Sequence, residues 1–583
     1  MISIITRQGG DELDLPKDNK KISVETSSPF LSEDGSFVLP LTLPPSIKNL
    51  RLLNMPHRVD QADFKAAKLE VIVRAGSFQK SGLLVTINSN LSSGIQCTIL
   101  FDDSGVYNTI KSKTLSTIFY NEKRDDYASE PDIEMQRLNW VAQLEHVMRG
   151  DYPDDIFSVF PVKTTQGIIL NQQDVTTFLT DPRGNEYYRL LMRFPHQFTI
   201  DDKQIVFPEG FFITPFLKLW YVIKQVCAYA GYELESNPFF DLPNFKKIVI
   251  LNNTADSIMA NGTIYLRNLV PDMDASDFLK SLFPLFGAAF ISTSSNKLKV
   301  VFFDQLLKQP ATKDLTPFLS SSPTFNYVES KSLSIACEHL TADSDIAITN
   351  WDDFIDKYPN IQYVSENEIA ALAVNSVFFH KQKLFFAIRT TAGYDRIKYD
   401  QFDIKDNSLA SSELPAKHQD YYMGDNTADN ESSVAVFPVI GEFRNMVMNV
   451  IQDSVNISSD AECKLMLAFE HGRMIGSTEL QRRVYGSSHT YLNNGSLDEE
   501  DGFNLMYAGD LGLFNTFFKN YDAALRKGMI PIAAPLSLPK DEIIQLNYDQ
   551  VVLINARKCI PIKLRYEITD ENIELIESQF YTI

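Results

Sequence analysis

The hydrophobic period changes several times between Phe211 and Phe303, and that alternation limits what the chain can build there. The run FFITPFLKLWYVIKQVCAYAGYELE repeats apolar residues at Phe216, Leu219, Trp220, Ile223, Val226, Cys227 and Ala230, the spacing of one helix face. Thr214 is placed to accept from the first free N–H groups of that helix, and Pro215 follows where a missing N–H costs nothing. Gly231 supplies a left-handed stop. Residues 248–251 then read as a strand. A second helix is expected from near Asp274 to Gly287, its last turn bent by Pro284. Residues 288–292 and 297–303 alternate like two strands joined by a polar turn over 293–296. The expectation is a helix–strand–helix–hairpin module over 211–330, with β-rich sequence on both sides.

Residues 1–60 have little core of their own and read as an extended N-terminal arm, or as first strands of a sheet completed elsewhere. Residues 61–210 read as a β-rich domain. Within it, 69–101 form a meander with turns expected at Gly76, Gly82 and Gly94. A short helical pattern follows from Ser104 through Ile118. A polar, acidic insertion near 121–160 contains one helix over 133–148. Residues 331–583 read as a second β-rich domain with an insertion near 390–433. Ser365 and Glu368 have capping-box spacing, 377–380 and 383–388 form a hairpin, a helix spans 512–526, and a turn at 555–557 joins the closing strands. The fold class is therefore α+β, mostly β, in about three or four domains over 583 residues.

The net charge of −21 argues against a protein that coats nucleic acid, although a negative wall suits a passage through which nucleic acid slides. The more ordinary reading of that charge is solubility. The five cysteines, Cys97, Cys227, Cys337, Cys463 and Cys559, stand singly with no C-x-x-C pair, as expected of buried free thiols in a reducing cytoplasm. The first residues lack the basic start and long apolar core of a signal peptide, and no apolar run is long enough to span a bilayer.

The sequence offers no positive sign of catalysis. None of the eight histidines stands at metal-ligand spacing, and Glu470–His471 are neighbours whose side chains diverge on a strand. No nucleophile elbow, Walker loop or dinucleotide fingerprint occurs. Acidic clusters at 102–103, 154–155, 352–353 and 498–501 read as solvated turns, and Gly502 falls where a calcium loop needs a ligand. The aromatic runs at 211–232 and 278–290, and Phe514, Phe517, Phe518 and Tyr521, read as core. No catalytic, cofactor or metal residue is assigned, and no cofactor is expected.

Several phrases resemble tail or baseplate proteins encoded by phages and prophages of Bacteroidetes. They are SPFLSEDGSFVLPLTLPPSIKNLRLLNMPHRVD (28–60), AGSFQKSGLLVT (75–86), TPFLKLWYVIKQVCAYAGYELESNPF (214–239), VPDMDASDFLKSLFPLFGAAF (270–290), LFNTFFKNYDAALRKG (513–528) and the closing INARKCIPIKLRYEI. The resemblance implies a baseplate hub or tail-tip protein of the virion, made in the host cytoplasm and without enzymatic activity. It implies a homotrimer with two tube-like β-barrel domains per chain, adapting a sixfold tail tube to a threefold tip. Implied partners are the tail tube or distal tail protein, the tape measure protein, other tip or fibre proteins, and DNA in passage. Two other classes stay open at this point: a tail-tip enzyme acting on carbohydrate or peptidoglycan, which needs converging carboxylates or a metal, and a receptor- or glycan-binding module, which needs exposed aromatics in a shallow groove.

Overall fold

Apart from brief stretches, the computed structural model describes residues 2–327 and 512–583. Between these it describes segments within 339–348, 360–399, 418–423, 436–473 and 484–505. The chain is α+β and mostly β. Its largest element is a twelve-stranded sheet built from both ends of the chain: β1 (Ile2–Thr6), β2 (Lys21–Ser27), β3 (Phe37–Leu43), β4 (Lys68–Ala75), β5 (Phe78–Asn90), β6 (Gly94–Phe101), β7 (Lys313–Asp314), β8 (Thr324–Phe325), β9 (Pro531–Ala533), β10 (Val552–Ile554), β11 (Arg557–Thr569) and β12 (Ile573–Thr582). The order is β1-β4-β5-β6-β3-β2-β11-β12-β9-β8, with β10 beside β11 and β7 beside β10.

The join between the two ends is the antiparallel pair β2–β11, running from Lys21 opposite Thr569 to Ser27 opposite Lys563. Alternation along β2 turns Ile22 and Val24 inward, onto a core that includes Val38, Val73, Ile99, Leu564, Ile568 and Phe580. Strands expected in separate domains at 1–60, 61–210 and 331–583 thus share one sheet. The reason is that residues 1–60 hold too few apolar side chains to bury their own face, and β11 supplies the other half. The turn at Asn555 and Ala556, with φ of 50° and 61°, closes the β10–β11 hairpin as its sequence predicts.

Among the described residues the sheet does not close into a barrel. Its path ends at β1 and β8, and the outer edge of β1 is shielded by residues 11–13, where Leu13 N–H donates to the Ile4 carbonyl at 2.7 Å. This corrects the expectation of two closed tubes, because neither this sheet nor the five-stranded sheets return to their first strand.

Gly82 is not a turn. It lies inside β5, opposite Val71 on one side and Phe101 on the other. A Cβ there would sit 2.6 Å from the Leu100 carbonyl oxygen and 2.9 Å from Ile99 Cγ2, so the glycine permits close backbone approach. Gly82→Ala is expected to lower stability by about 1–3 kcal/mol, read as a lower urea midpoint.

The second core lies in the middle of the chain. The expected insertion at 121–160 belongs to it. Helix α1 (Ile133–Met148), capped by Asp132, buries Trp140, Val141, Leu144 and Met148, and the Trp140 indole N–H donates to the Gly262 carbonyl at 2.8 Å. The helix forms where the sequence places it; the segment's high polarity hid only that its apolar residues join the central core.

Helix α2 (Leu219–Tyr229) starts later than its spacing suggests. Thr214 and Pro215 do not cap it. Phe216–Lys218 is a fully buried strand between Phe157–Ser158 and Ile248–Ile250, and extended backbone there satisfies both neighbours before the helix begins. Helix α3 (Ala275–Leu285), with Pro284 in its last turn and Gly287 beyond at φ 55°, and the hairpin Ala288–Ser294/Lys297–Phe302 form as expected. The segment over 512–526 divides into a π-helical turn, Phe514–Phe518, and α4 (Lys519–Arg526).

A smaller sheet holds Gln362–Val364, Val377–His380, Phe385–Arg389, Tyr394–Tyr399 and Ile346–Ile348. The Ser365–Glu368 capping box and the 377–389 hairpin are present. Most of the insertion near 390–433, and the strand expected at 332–337, lie outside the described residues.

Candidate functional site

The most concentrated polar chemistry in the described structure is buried, on the loop between strand Ile248–Ile250 and α3. The run NNTADS at 252–257 leaves the strand with no apolar side chain larger than alanine. Its polar groups find partners from distant parts of the chain. Asn171 bridges the Phe160 and Thr214 carbonyls through its amide, at 3.1 and 2.8 Å, and its Oδ1 accepts from Thr214 N–H at 2.8 Å. Thr214 Oγ1 donates to Asn252 Oδ1 at 2.9 Å. The threonine expected to cap α2 instead ties two loops together.

Arg444 reaches into the same loop with a side chain 5% exposed. Its guanidinium donates to Asp272 at 2.6 Å, the Asn268 carbonyl at 3.0 Å and Thr254 Oγ1 at 3.2 Å. Asp272 also accepts from Cys463 N–H at 2.8 Å. Asp256 accepts from Met446 N–H at 2.9 Å and Val447 N–H at 2.6 Å. Two backbone bonds of 2.8 Å, Arg444 N–H to Asn253 and Ala255 N–H to Arg444, run alongside. The carboxylates and the guanidinium are thus engaged in holding 440–447 and 461–466 against the central core. This is a clasp rather than a reaction centre: the charged groups are held by fixed partners instead of facing a cleft.

A second buried charge lies nearby in sequence. Lys218, 7% exposed, pairs with Glu470 on the strand Leu467–Arg473. Burial pushes its ammonium down to about 8, and the Asp155 carboxylate works against that shift. Between pH 8 and the ordinary lysine range, the unfolded chain binds the proton that the folded chain has released. Stability should therefore rise with pH through that window, by about 1–3 kcal/mol, and stay level below it. Urea midpoints at the two ends of the window test this, and Lys218→Met should abolish the difference.

Residues flagged in the sequence do not converge. Glu470 meets Lys218, His146 meets Asp151 at 2.9 Å, and His380 meets Glu366 at 2.6 Å. Among the described residues no group of three or more His, Cys, Asp and Glu side chains is arranged to hold a metal ion. The acidic clusters at 102–103, 352–353 and 498–501, together with Cys337, lie outside the described residues. Cys97, Cys227, Cys463 and Cys559 are buried free thiols. Desolvation raises all four, Cys97, Cys463 and Cys559 to about 11, which removes thiolate character at neutral pH. The aromatic runs are core: Phe239, Phe245, Phe286, Phe302, Phe503 and Phe517 pack ring against ring. Sequence reasoning missed the clasp. Its one signal was a run of small polar residues directly after a fully apolar strand.

No protein-family model matches the chain, and no curated protein matches it. Among solved structures, the 43 kDa tail protein of prophage MuSo2 from Shewanella oneidensis is 7% identical over 100% of this chain and 98% of that chain, with a TM-score of 0.24. That likeness is too slight to bear on fold or function. No described helix is long and apolar enough to cross a membrane.

Proposed function

We propose that the chain is a structural component of a phage tail: a non-enzymatic baseplate hub or tail-tip protein of the virion, of the type carried by Bacteroidetes phages and prophages. It assembles as a homotrimer, seats on the tail tube or distal tail protein near the tape measure protein, and carries other tip or fibre proteins. It adapts a sixfold tube to a threefold tip and lines part of the DNA ejection passage, where carboxylates of a chain with net charge −21 repel phosphate.

One observation carries this reading. The phrases that resemble tail proteins are scattered over the sequence, yet they meet in space in two groups. Those at 28–60, 75–86 and the closing residues supply β3, β5 and β11 of the twelve-stranded sheet. Those at 214–239, 270–290 and 513–528 supply one aromatic core, with Phe239 against Phe283 at 6.1 Å and Phe286 against Phe517 at 5.4 Å. Light scattering on the purified chain should give three times its 66.1 kDa mass. A monomer that hydrolyses peptidoglycan would replace this reading with the enzyme.

A further inference from the structure

On the surface beneath the clasp, Arg267 is held between two tyrosine rings. Its guanidinium carbon lies 4.8 Å from the centre of the Tyr120 ring and 4.9 Å from that of Tyr265. Tyr120 is 63% exposed, and Tyr265 and Arg267 are half-buried.

The platform under them is firm. Tyr265 sits opposite Lys123 in the two-stranded ribbon Lys123–Arg124/Ile264–Tyr265, and Leu266 N–H donates to the Glu122 carbonyl at 3.1 Å. Phe119, next to Tyr120, is fully buried. Asn268, next to Arg267, is tied through its carbonyl to Arg444 and Thr254.

The neighbouring cations are neutralised: Lys123 pairs with Asp125 at 3.0 Å, and Arg124 with Asp126 at 2.9 Å. Among the described residues, no carboxylate forms an ion pair with Arg267. Among the described residues this guanidinium is thus clamped by rings instead of carboxylates. A guanidinium oriented in this way presents paired N–H donors to a planar oxyanion.

We propose that Tyr120, Arg267 and Tyr265 form a binding site for a carboxylate-bearing sugar unit of an acidic polysaccharide. The sugar carboxylate lies against Arg267, and a ring face stacks on Tyr120. Asp125 and Asp126, both exposed, accept sugar hydroxyls with the lone pairs left over from their ion pairs. An acidic peptide offers Arg267 its carboxylates but gives Asp125 and Asp126 no ring hydroxyls to accept, and a nucleic-acid backbone offers a tetrahedral phosphate in place of a planar carboxylate. The site does not depend on the chain being part of a tail.

The test is calorimetric titration of the full-length chain at low salt with three probes: oligogalacturonate, the same oligosaccharide with its carboxyls reduced to alcohols, and polyglutamate. Oligogalacturonate should bind saturably and the other two at least about tenfold more weakly. Arg267→Gln should weaken oligogalacturonate about tenfold at an unchanged melting temperature, and Tyr120→Ala several-fold. Arg267→Lys, which keeps the charge and loses the planar fork, should fall between wild type and Arg267→Gln. Equal binding of polyglutamate, equal binding by Arg267→Gln, or no binding of oligogalacturonate would each overturn the proposal.

Discussion

Arg444→Ala is expected to release residues 440–447 and 461–466 from the central core, at a cost of about 3–4 kcal/mol. The size follows from what the guanidinium touches. It is 5% exposed and donates to Asp272, Thr254 and the Asn268 carbonyl together. Removing it takes one donor from the Thr254 hydroxyl and one from the Asn268 carbonyl, which keep their bond to each other at 2.7 Å in a buried loop that water reaches poorly. Asp272, 44% exposed, can turn to solvent, so the loss falls below that of a fully buried pair. Asp272→Asn should accordingly cost only about 1–2 kcal/mol. Arg444→Lys should resemble alanine more than wild type, because one ammonium cannot span three acceptors.

Amide hydrogen exchange reads the effect directly. Protection should fall at Arg444, Met446, Val447 and Cys463, whose N–H groups are held by the clasp, and stay unchanged in β2 and β11. Unaltered exchange at 440–447 in Arg444→Ala would mean that the backbone pairs with Asn253 and Ala255 suffice alone.

What could be read from sequence divides along the range of the forces involved. Local periodicity and turn chemistry placed α1 and α3, the 288–302 hairpin, the β10–β11 turn at Asn555 and Ala556, and the Ser365–Glu368 box. Each is decided by residues close together in the chain. The start of α2 went wrong because a long-range effect won: Thr214 and Pro215 favour a helix locally, but Phe216–Lys218 buries three side chains by pairing on both sides. Gly82 looked like a turn for the same reason, since only the approach of β6 shows why a strand needs glycine there. The union of β2 with β11 lies beyond any local signal, because the partners stand more than 500 residues apart and each strand alone reads as an ordinary amphipathic segment.

The clasp was illegible in a different way. Asn171, Asn252, Thr254 and Asp256 are residue types that usually mark exposed turns, and in sequence they read as loop. Their burial becomes visible only when Arg444 and the 440–447 backbone arrive to satisfy them. Arg267 is similar. An arginine between two tyrosines distant in sequence has no motif, and its clamping depends on a ribbon joining residues 123–124 to 264–265.

The second large effect is expected at Asp304, on the helix Phe303–Lys308 that follows the hairpin. Its carboxylate is 2% exposed and accepts from Asn520 N–H at 2.7 Å, Asn520 Nδ2 at 2.6 Å and Tyr521 N–H at 3.2 Å. These amides open α4 immediately after the π-helical turn Phe514–Phe518. There Phe518, at φ −131° and ψ −12°, breaks the regular ladder and leaves the first α-helical N–H groups without carbonyls in register. Asp304 serves as their cap from outside the helix, and its negative charge suits the positive helix end.

Asp304→Ala should therefore cost about 2–4 kcal/mol, more than an ordinary cap, because two buried N–H groups lose their acceptor without water to replace it. Lys308, at 3.0 Å but 56% exposed, contributes little to that loss. Asp304→Asn keeps one acceptor oxygen and should cost about half as much. Loss of protection should concentrate in 519–526 and spread to Phe303, whose ring meets that of Tyr521 at 4.7 Å. If Asp304→Ala melts with wild type and α4 stays protected, the π-helical turn must satisfy its own amides, and the external cap is not what holds α4 to the core.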